Sequence, residues 1–255
     1  MANNSSKRSG QVISDVVLAL QSVMQLENIA TKAEILDEYS HDAWPVSALE
    51  KKLGIHQFRP DIVVTPRSKK EILGVLKVAK DNQVPIMARG LGSSVTGQSL
   101  ATQGGIVIDL SKIVSGPVLS ISDMTVSASA GMRGSDLEEW LNKKSLTMNF
   151  FPQSLSRSTI GGWVATRATG QLSTKFGGIE ESAVGFSVIL SDSTEIQVGQ
   201  KPRAAVGPNL KELFLGTEGM FAVITEVTLK VYRKSEIQLS EAWLMPSVNS
   251  GIVAM

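Results

Sequence analysis

The stretch Gly161-Gly162-Trp163-Val164-Ala165-Thr166-Arg167-Ala168-Thr169-Gly170 sets small and hydroxylated residues where a core would take Leu or Val. Read with a second segment, Ala88-Arg89-Gly90-Leu91-Gly92-Ser93-Ser94-Val95-Thr96-Gly97, it decides the fold. Glycine lets a backbone pass close to a ligand, and Ser and Thr add short hydrogen-bond donors. Two such segments, far apart in sequence, point to one long polar ligand gripped along its length; a dinucleotide fits that description. Each segment alone also has a plainer reading: an ordinary loop for 88–99, and a tightly packed helix with small residues at a crossing for 161–170.

Two phosphate motifs nearly fit the first loop, and both fail. Gly92-x-x-x-x-Gly97-Gln98-Ser99 has P-loop spacing, but Gln98 stands where the motif needs a lysine ammonium. Gly90-x-Gly92-x-x-Val95 lacks the third glycine of the Rossmann fingerprint, and Gly97, Gly104 and Gly105 interrupt any helix after it. What remains is a strand leading into a loop rich in backbone N–H and hydroxyl donors, a nest suited to a pyrophosphate.

Around these segments the pattern alternates strands with a few helices. Val12–Met24 and Thr31–Tyr39 read as a helical pair that His41-Asp42-Ala43-Trp44-Pro45 ends. Asp61–Thr65, Val84–Ala88 and Gly105–Leu110 read as strands. Between the first two, Ser68 caps a helix over Lys69–Asn82, with Glu71 in capping-box position and Ile72, Val75, Leu76 and Ala79 on one face. Met124–Ala130 is a half-exposed strand; Ser135 caps a helix to Leu141, with Glu138 three residues on; residues 145–160 are loop-like. Ala183–Leu190 and Thr194–Val198 form a hairpin around Ser191-Asp192-Ser193, Leu210–Leu215 is a short helix, and Phe221–Tyr232 is the clearest strand. Glu218-Gly219 before it marks either a close backbone approach or a simple turn. The fold class expected is α+β.

Bulk properties narrow the function. A chain of 255 residues, 42% hydrophobic, has material for a substantial core. A net charge of +1 gives no electrostatic reason for nucleic acid or an anionic membrane. Cysteine is absent, which removes disulfides, thiolate metal sites and cysteine nucleophiles. No apolar run reaches the ~20 residues of a membrane span, so a cytoplasmic protein is expected. Met1–Gly10 is polar and reads as frayed. His41 and His56 have no metal-ligand spacing and read as surface or capping residues; no metal is implied. Lys201-Pro202-Arg203 is a basic loop, read as solvated rather than as meeting an anionic substrate.

The runs Pro60–Pro66, Pro85–Gly97, Gly104–Ser111, Pro152–Gly170 and Gly216–Thr228, in this order, resemble the FAD-binding domain of the vanillyl-alcohol oxidase / p-cresol methylhydroxylase (PCMH) family. Within it, the chain is similar to the alkyldihydroxyacetone-phosphate synthase and D-lactate/glycolate dehydrogenase branches. The resemblance implies a two-subdomain PCMH-type fold and non-covalent FAD, since the first loop holds no histidine for covalent attachment. It implies that Ala88, Arg89, Gly90, Leu91, Gly92, Ser93 and Ser94, with Gly97 and Gln98, hold the pyrophosphate side. Pro152, Gln153, Ser154, Ser158 and Thr159, with Gly161 and Gly162, would line the flavin and ribityl side, and Thr166, Ala168 and Thr169 would continue along the cofactor. Glu218, Gly219, Val223, Ile224 and Thr225 would lie against it, the last two near the adenine or flavin edge.

Three departures from the family pattern stand out. Met220, Phe221 and Ala222 replace the usual Thr, Leu and Gly, Ser191-Asp192-Ser193 lacks the Asp-Gly turn, and the sequence ends at Met255. By the resemblance, residues 1–58 form a helical region, 59–235 the FAD domain (subdomains about 59–115 and 116–235), and 236–255 the opening strand and helix of a cap cut mid-element. The activity implied is oxidation of a small 2-hydroxy acid. Ether-lipid synthesis is the alternative within enzymes, and a non-catalytic FAD-binding fragment, or a subunit completed by a partner chain, the alternative outside them; a homodimer or a partner subunit is the assembly expected. The family's catalytic base comes from the part not present, so no catalytic residue is assigned.

Overall fold

A computed structural model describes residues 10–113, 115–199 and 207–254. Lys201-Pro202-Arg203, most of the polar N-terminal stretch and Met255 lie outside the described residues.

Four strands, β1 (Ile29–Ala30), β2 (Ile62–Val64), β3 (Ile86–Arg89) and β4 (Ile106–Asp109), build the first sheet in the order β1-β2-β4-β3. β4 runs parallel to both β2 and β3, and β1 closes one edge antiparallel. Parallel strands need a crossover, and the helix Lys69–Asp81 carries the chain from β2 to β3, on the far side of β4. Its Ile72, Val75, Leu76 and Ala79 are buried against Ile62, Val64, Ile106 and Ile108, and the helix Gly10–Gln21 adds Val16 and Leu20 to the same core. Ser68 Oγ accepts from Glu71 N at 3.2 Å, as the cap requires. The Glu71 carboxylate accepts from Arg67 N at 2.8 Å, one residue before the amide that a capping box would engage.

The second sheet is antiparallel throughout. It contains β5 (Val118–Ser120), β6 (Thr125–Ser129), β8 (Ala183–Ile189), β9 (Glu195–Gly199) and β10 (Val223–Lys230) in the order β5-β6-β10-β8-β9. A separate pair joins β7 (Leu146–Thr147) to β11 (Tyr232–Arg233). The helices Gly134–Asn142 and Ile160–Thr166 contribute to a second core, where Leu137, Leu141, Phe150, Trp163 and Val227 are buried together. Ile189 and Val223, at the ends of β8 and β10, belong instead to the first core and so tie the two sheets together.

Several elements depart from the sequence reading. The N-terminal helices end at Tyr39, before His41–Pro45 as read, but Pro45 then opens another, Pro45–Lys52, because a residue without an N–H suits the first helical turn. Ser135 is not a cap: the helix starts at Gly134, and Ser135 Oγ donates to Asp136 at 3.2 Å. Glu138 makes no capping box; it is buried, and accepts from Thr147 Oγ1 at 2.7 Å, Met148 N at 2.9 Å and Asn142 Nδ2 at 3.2 Å. The loop-like stretch 145–160 contains β7. Residues 236–247 form no strand; the helix Val248–Ala254 follows them, largely exposed. Among the described residues no helix is long and apolar enough to cross a membrane.

Candidate functional site

A cleft of ≈ 420 Å³ opens where the end of β3 faces the ends of β6 and β10. Both glycine-rich segments line it. From the first come Ala88, Arg89, Gly90, Leu91, Gly92, Ser93, Ser94 and Gln98, and from the second Gly161, Gly162, Thr166 and Ala168. Ser154, Ser158, Thr159, Glu218, Gly219 and Ile224 complete the residues that the sequence had singled out.

The two segments touch. A Cβ at Gly90 would stand 2.5 Å from Thr159 Oγ1, so only glycine lets loop and threonine approach this closely. Thr159 is itself the N-cap of the helix Ile160–Thr166, its Oγ1 accepting from Gly162 N at 3.2 Å. Gly161 brings that helix against the end of β6, where a Cβ would lie 2.6 Å from Ala130 Cβ. The second segment is therefore both things its composition allowed: a helix packed through small residues, and a wall of the cleft. At the far end the backbone of 216–218 hangs from this helix, with Gly216 N and Glu218 N donating to Val164 O and Ala165 O at 3.0 and 2.9 Å.

Six of the expected residues stand outside the cleft. Val223 is buried in the first core, and Thr225 is buried with its hydroxyl donating to Ser187 O at 3.3 Å, while Ile224 between them lines the cleft. This is the alternation of a strand. Gly97 packs on Trp44, with a Cβ site 3.3 Å from its ring, Pro152 is buried, and Gln153 and Thr169 are exposed and do not line the cleft. Conversely the cleft takes in apolar residues that sequence reasoning missed, Leu110 and Ala130 among them. They carry no signal of their own, being ordinary core types.

Two polar side chains inside the cleft wall are already committed. Ser158 Oγ donates to Ser154 O at 2.8 Å and accepts from Trp163 Nε1 at 2.7 Å, which holds the indole in place. Arg89 is 8% exposed, and its guanidinium donates to three carbonyls: His41 at 2.7 Å, Tyr39 at 3.3 Å and Ser99 at 3.4 Å. It also lies over the Tyr39 ring, 5.2 Å from the centroid. Burial pushes the guanidinium's value down, against the pull of Tyr39, Asp42 and Asp109; an arginine stays charged regardless. Burial, then the bond it donates to Asp109 at 2.6 Å, pushes the Tyr39 phenol up. Arg89 thus anchors the glycine loop to the N-terminal segment, a job no local pattern announces. Ala43 N, donating to Gly92 O at 3.1 Å, makes a second tie.

What is left for a ligand is backbone. The amides of Leu91, Gly92, Ser93, Ser94 and Val95 donate to no acceptor among the described residues. Such a run of free N–H groups beside a glycine cradle suits a pyrophosphate, and the buried Ala130, Trp163 and Ile224 suit a flat aromatic ring system. The residues present fit a flavin dinucleotide.

Residues 60–199 match the model of a family described as FAD binding domain. The chain belongs to that family. FAD is therefore its cofactor, and the fold is the PCMH-type one. Among curated proteins, an alkyldihydroxyacetonephosphate synthase of Caenorhabditis elegans is 34% identical over 197 residues, covering 76% of this chain and 33% of the relative. A mitochondrial D-lactate dehydrogenase [cytochrome] of Arabidopsis thaliana is 31% identical over 225 residues, covering 88% and 38%. Among solved structures, an alkyldihydroxyacetonephosphate synthase superposes with a TM-score of 0.78 at 26% identity, covering 86% of this chain and 40% of that one. p-Cresol methylhydroxylase superposes at 0.72 with 15% identity, covering 91% and 45%, a likeness of fold alone. The chain thus spans 33% to 38% of the length of these two curated relatives.

Proposed function

We propose that the chain is the FAD-holding part of a flavoenzyme that oxidises a small 2-hydroxy acid of the D-lactate or glycolate type. The observation that carries this is the meeting of the two glycine-rich segments at Gly90 and Thr159, in one cleft of a FAD-binding domain. When bound, FAD supplies the two-electron acceptor for a carbon–hydrogen bond. The chain's own work is binding and orientation: the free amides of 91–95 take the anionic pyrophosphate, Ala130, Trp163 and Ile224 keep water from the ring system, and Glu218-Gly219 pass along one edge through their backbone. Among the described residues no His, Tyr or Cys lines the cleft, and non-covalent FAD is part of the proposal. No residue is assigned as the catalytic base.

A second reading is ether-lipid synthesis, favoured by the 34% identity to a synthase. The test has two stages. Purified protein should show flavin absorbance that passes into the filtrate after denaturation; flavin retained on the denatured chain would overturn the non-covalent reading. D-lactate or glycolate should then bleach the bound flavin anaerobically. Ether product from acyl-dihydroxyacetone phosphate and a long-chain alcohol, with no bleaching by hydroxy acids, would decide for the second reading.

A further inference from the structure

Behind the glycine loop lies a histidine pair that the function above does not use. His41 is 4% exposed, not at the surface as its sequence context indicates. Its Nε2 is 3.0 Å from Nδ1 of the half-buried His56. The same His41 offers its backbone carbonyl to Arg89 Nη2 at 2.7 Å, the shortest of the three bonds that anchor the loop. Ring pair, carbonyl, guanidinium and glycine loop form one continuous chain of contacts, because a Cβ at Gly92 would collide with the Arg89 guanidinium.

We propose that His41 and His56 are positioning residues for the cofactor: their ring-to-ring hydrogen bond fixes the His41 carbonyl, the carbonyl holds Arg89, and Arg89 holds the loop whose amides face the FAD. The proposal rests on the reading that this loop carries the cofactor. A 3.0 Å gap between two ring nitrogens accommodates one proton. It tolerates a neutral pair and a singly charged pair. A second proton puts two N–H groups face to face, and the bond breaks. The clasp therefore makes FAD binding proton-linked.

The charged and titratable neighbours come from every side of the pair. From the helix Ala33–Tyr39, Asp37 lies 3.6 Å from His56 Nδ1 and is itself paired to Arg59 at 2.7 Å. From the helix Pro45–Lys52, Lys51 opposes a charge on His41 and Glu50 favours one. Tyr39, Asp42 and Arg89 close the other side, and the Ser40 hydroxyl lies 3.2 Å from His56 Nδ1. Burial, then His56, holds the His41 imidazole below its ordinary value. The second proton thus arrives only below the usual imidazole range.

The test uses two substitutions and two readouts. His56→Asn keeps a hydrogen-bonding atom near the Nδ1 position but does not titrate; His56→Ala removes it. In the wild type, the FAD dissociation constant should be flat at neutral pH and rise on acidification, toward about tenfold per pH unit, the signature of one excluded proton. FAD has no group titrating there. His56→Asn should bind as tightly as wild type at neutral pH with a flattened profile, since a protonated His41 still donates to the amide oxygen. His56→Ala should bind more weakly at every pH. Amide exchange of residues 90–98 in the FAD-free protein, corrected for intrinsic rates, should follow the same three profiles. A His56→Asn protein with the wild-type pH slope in that exchange would overturn the clasp, even if FAD bound. No FAD binding by any variant at neutral pH, with the exchange profiles as expected, would sink the cofactor reading of the loop and leave the clasp as its proton-sensitive anchor.

Discussion

Replacing Gly90 by alanine tests whether the two glycine-rich segments meet as the cleft requires. The new Cβ would stand 2.5 Å from Thr159 Oγ1 and 3.1 Å from its Cγ2. Thr159 is 3% exposed and β-branched, so it has few rotamers to escape into. If it turns, it gives up the cap that Oγ1 provides to Gly162 N, worth about 1 kcal/mol. The off-rotamer strain of the new position adds on the order of 1 kcal/mol. The expected cost is therefore about 2 kcal/mol, a fall of roughly 4–8 °C in Tm for a chain of this size. A double-mutant cycle isolates the cause. Thr159→Ala alone loses the cap, about 1 kcal/mol, but clears the space. Gly90→Ala added to it should then cost almost nothing, so the coupling approaches about 2 kcal/mol. Urea titration of the four proteins, followed by tryptophan fluorescence, measures it. Costs that add within about 0.5 kcal/mol would show that Gly90 and Thr159 are not in contact, and the convergence argument would fail.

Three further substitutions or conditions probe the supports of the cleft. Glu138→Ala strands Met148 N, Thr147 Oγ1 and Asn142 Nδ2 around a buried site and should cost about 3 kcal/mol, read as a lower urea midpoint at unchanged m-value. Arg89→Lys exchanges a fork serving three carbonyls for a single ammonium. FAD affinity should fall while its dependence on salt concentration stays the same, because the guanidinium is taken up by three carbonyls; titration at several ionic strengths checks this. Burial, then His56 and Lys51, holds His41 below 6.5 in the folded chain. Between that lowered value and 6.5 the unfolded chain binds more protons, so this group's contribution to stability is full above 6.5 and is lost as pH falls. Denaturation midpoints measured from pH 8 to pH 5 (roughly the window of histidine titration) should decline on the acid side.

What could be read from the sequence was whatever chemistry is local. The strand-then-loop at 84–97 and the amphipathic helix after Ser68 each carry their pattern within a dozen residues, and the structure places both there. Pro45 hid the helix it opens, because proline marks either end of a helix, and only its neighbours in space decide which. Glu138 misled in the same way: its spacing from Ser135 fits a cap, but the unpaired amide of Met148 offers a buried carboxylate a stronger partner. Arg89 is the clearest case. The resemblance sets Arg89 with its loop on the pyrophosphate side, and nothing in that run announces its side-chain partners, the carbonyls at positions 39, 41 and 99 brought together only by tertiary structure. A loop whose amides from Leu91 to Val95 find no acceptor among the described residues lacks the contacts that would hold it still. Its rigidity has to come from behind, and here it comes from a buried arginine reaching back to a segment fifty residues earlier. For this reason a site's ligand-facing residues can be legible in a sequence while the residues that set its geometry are not.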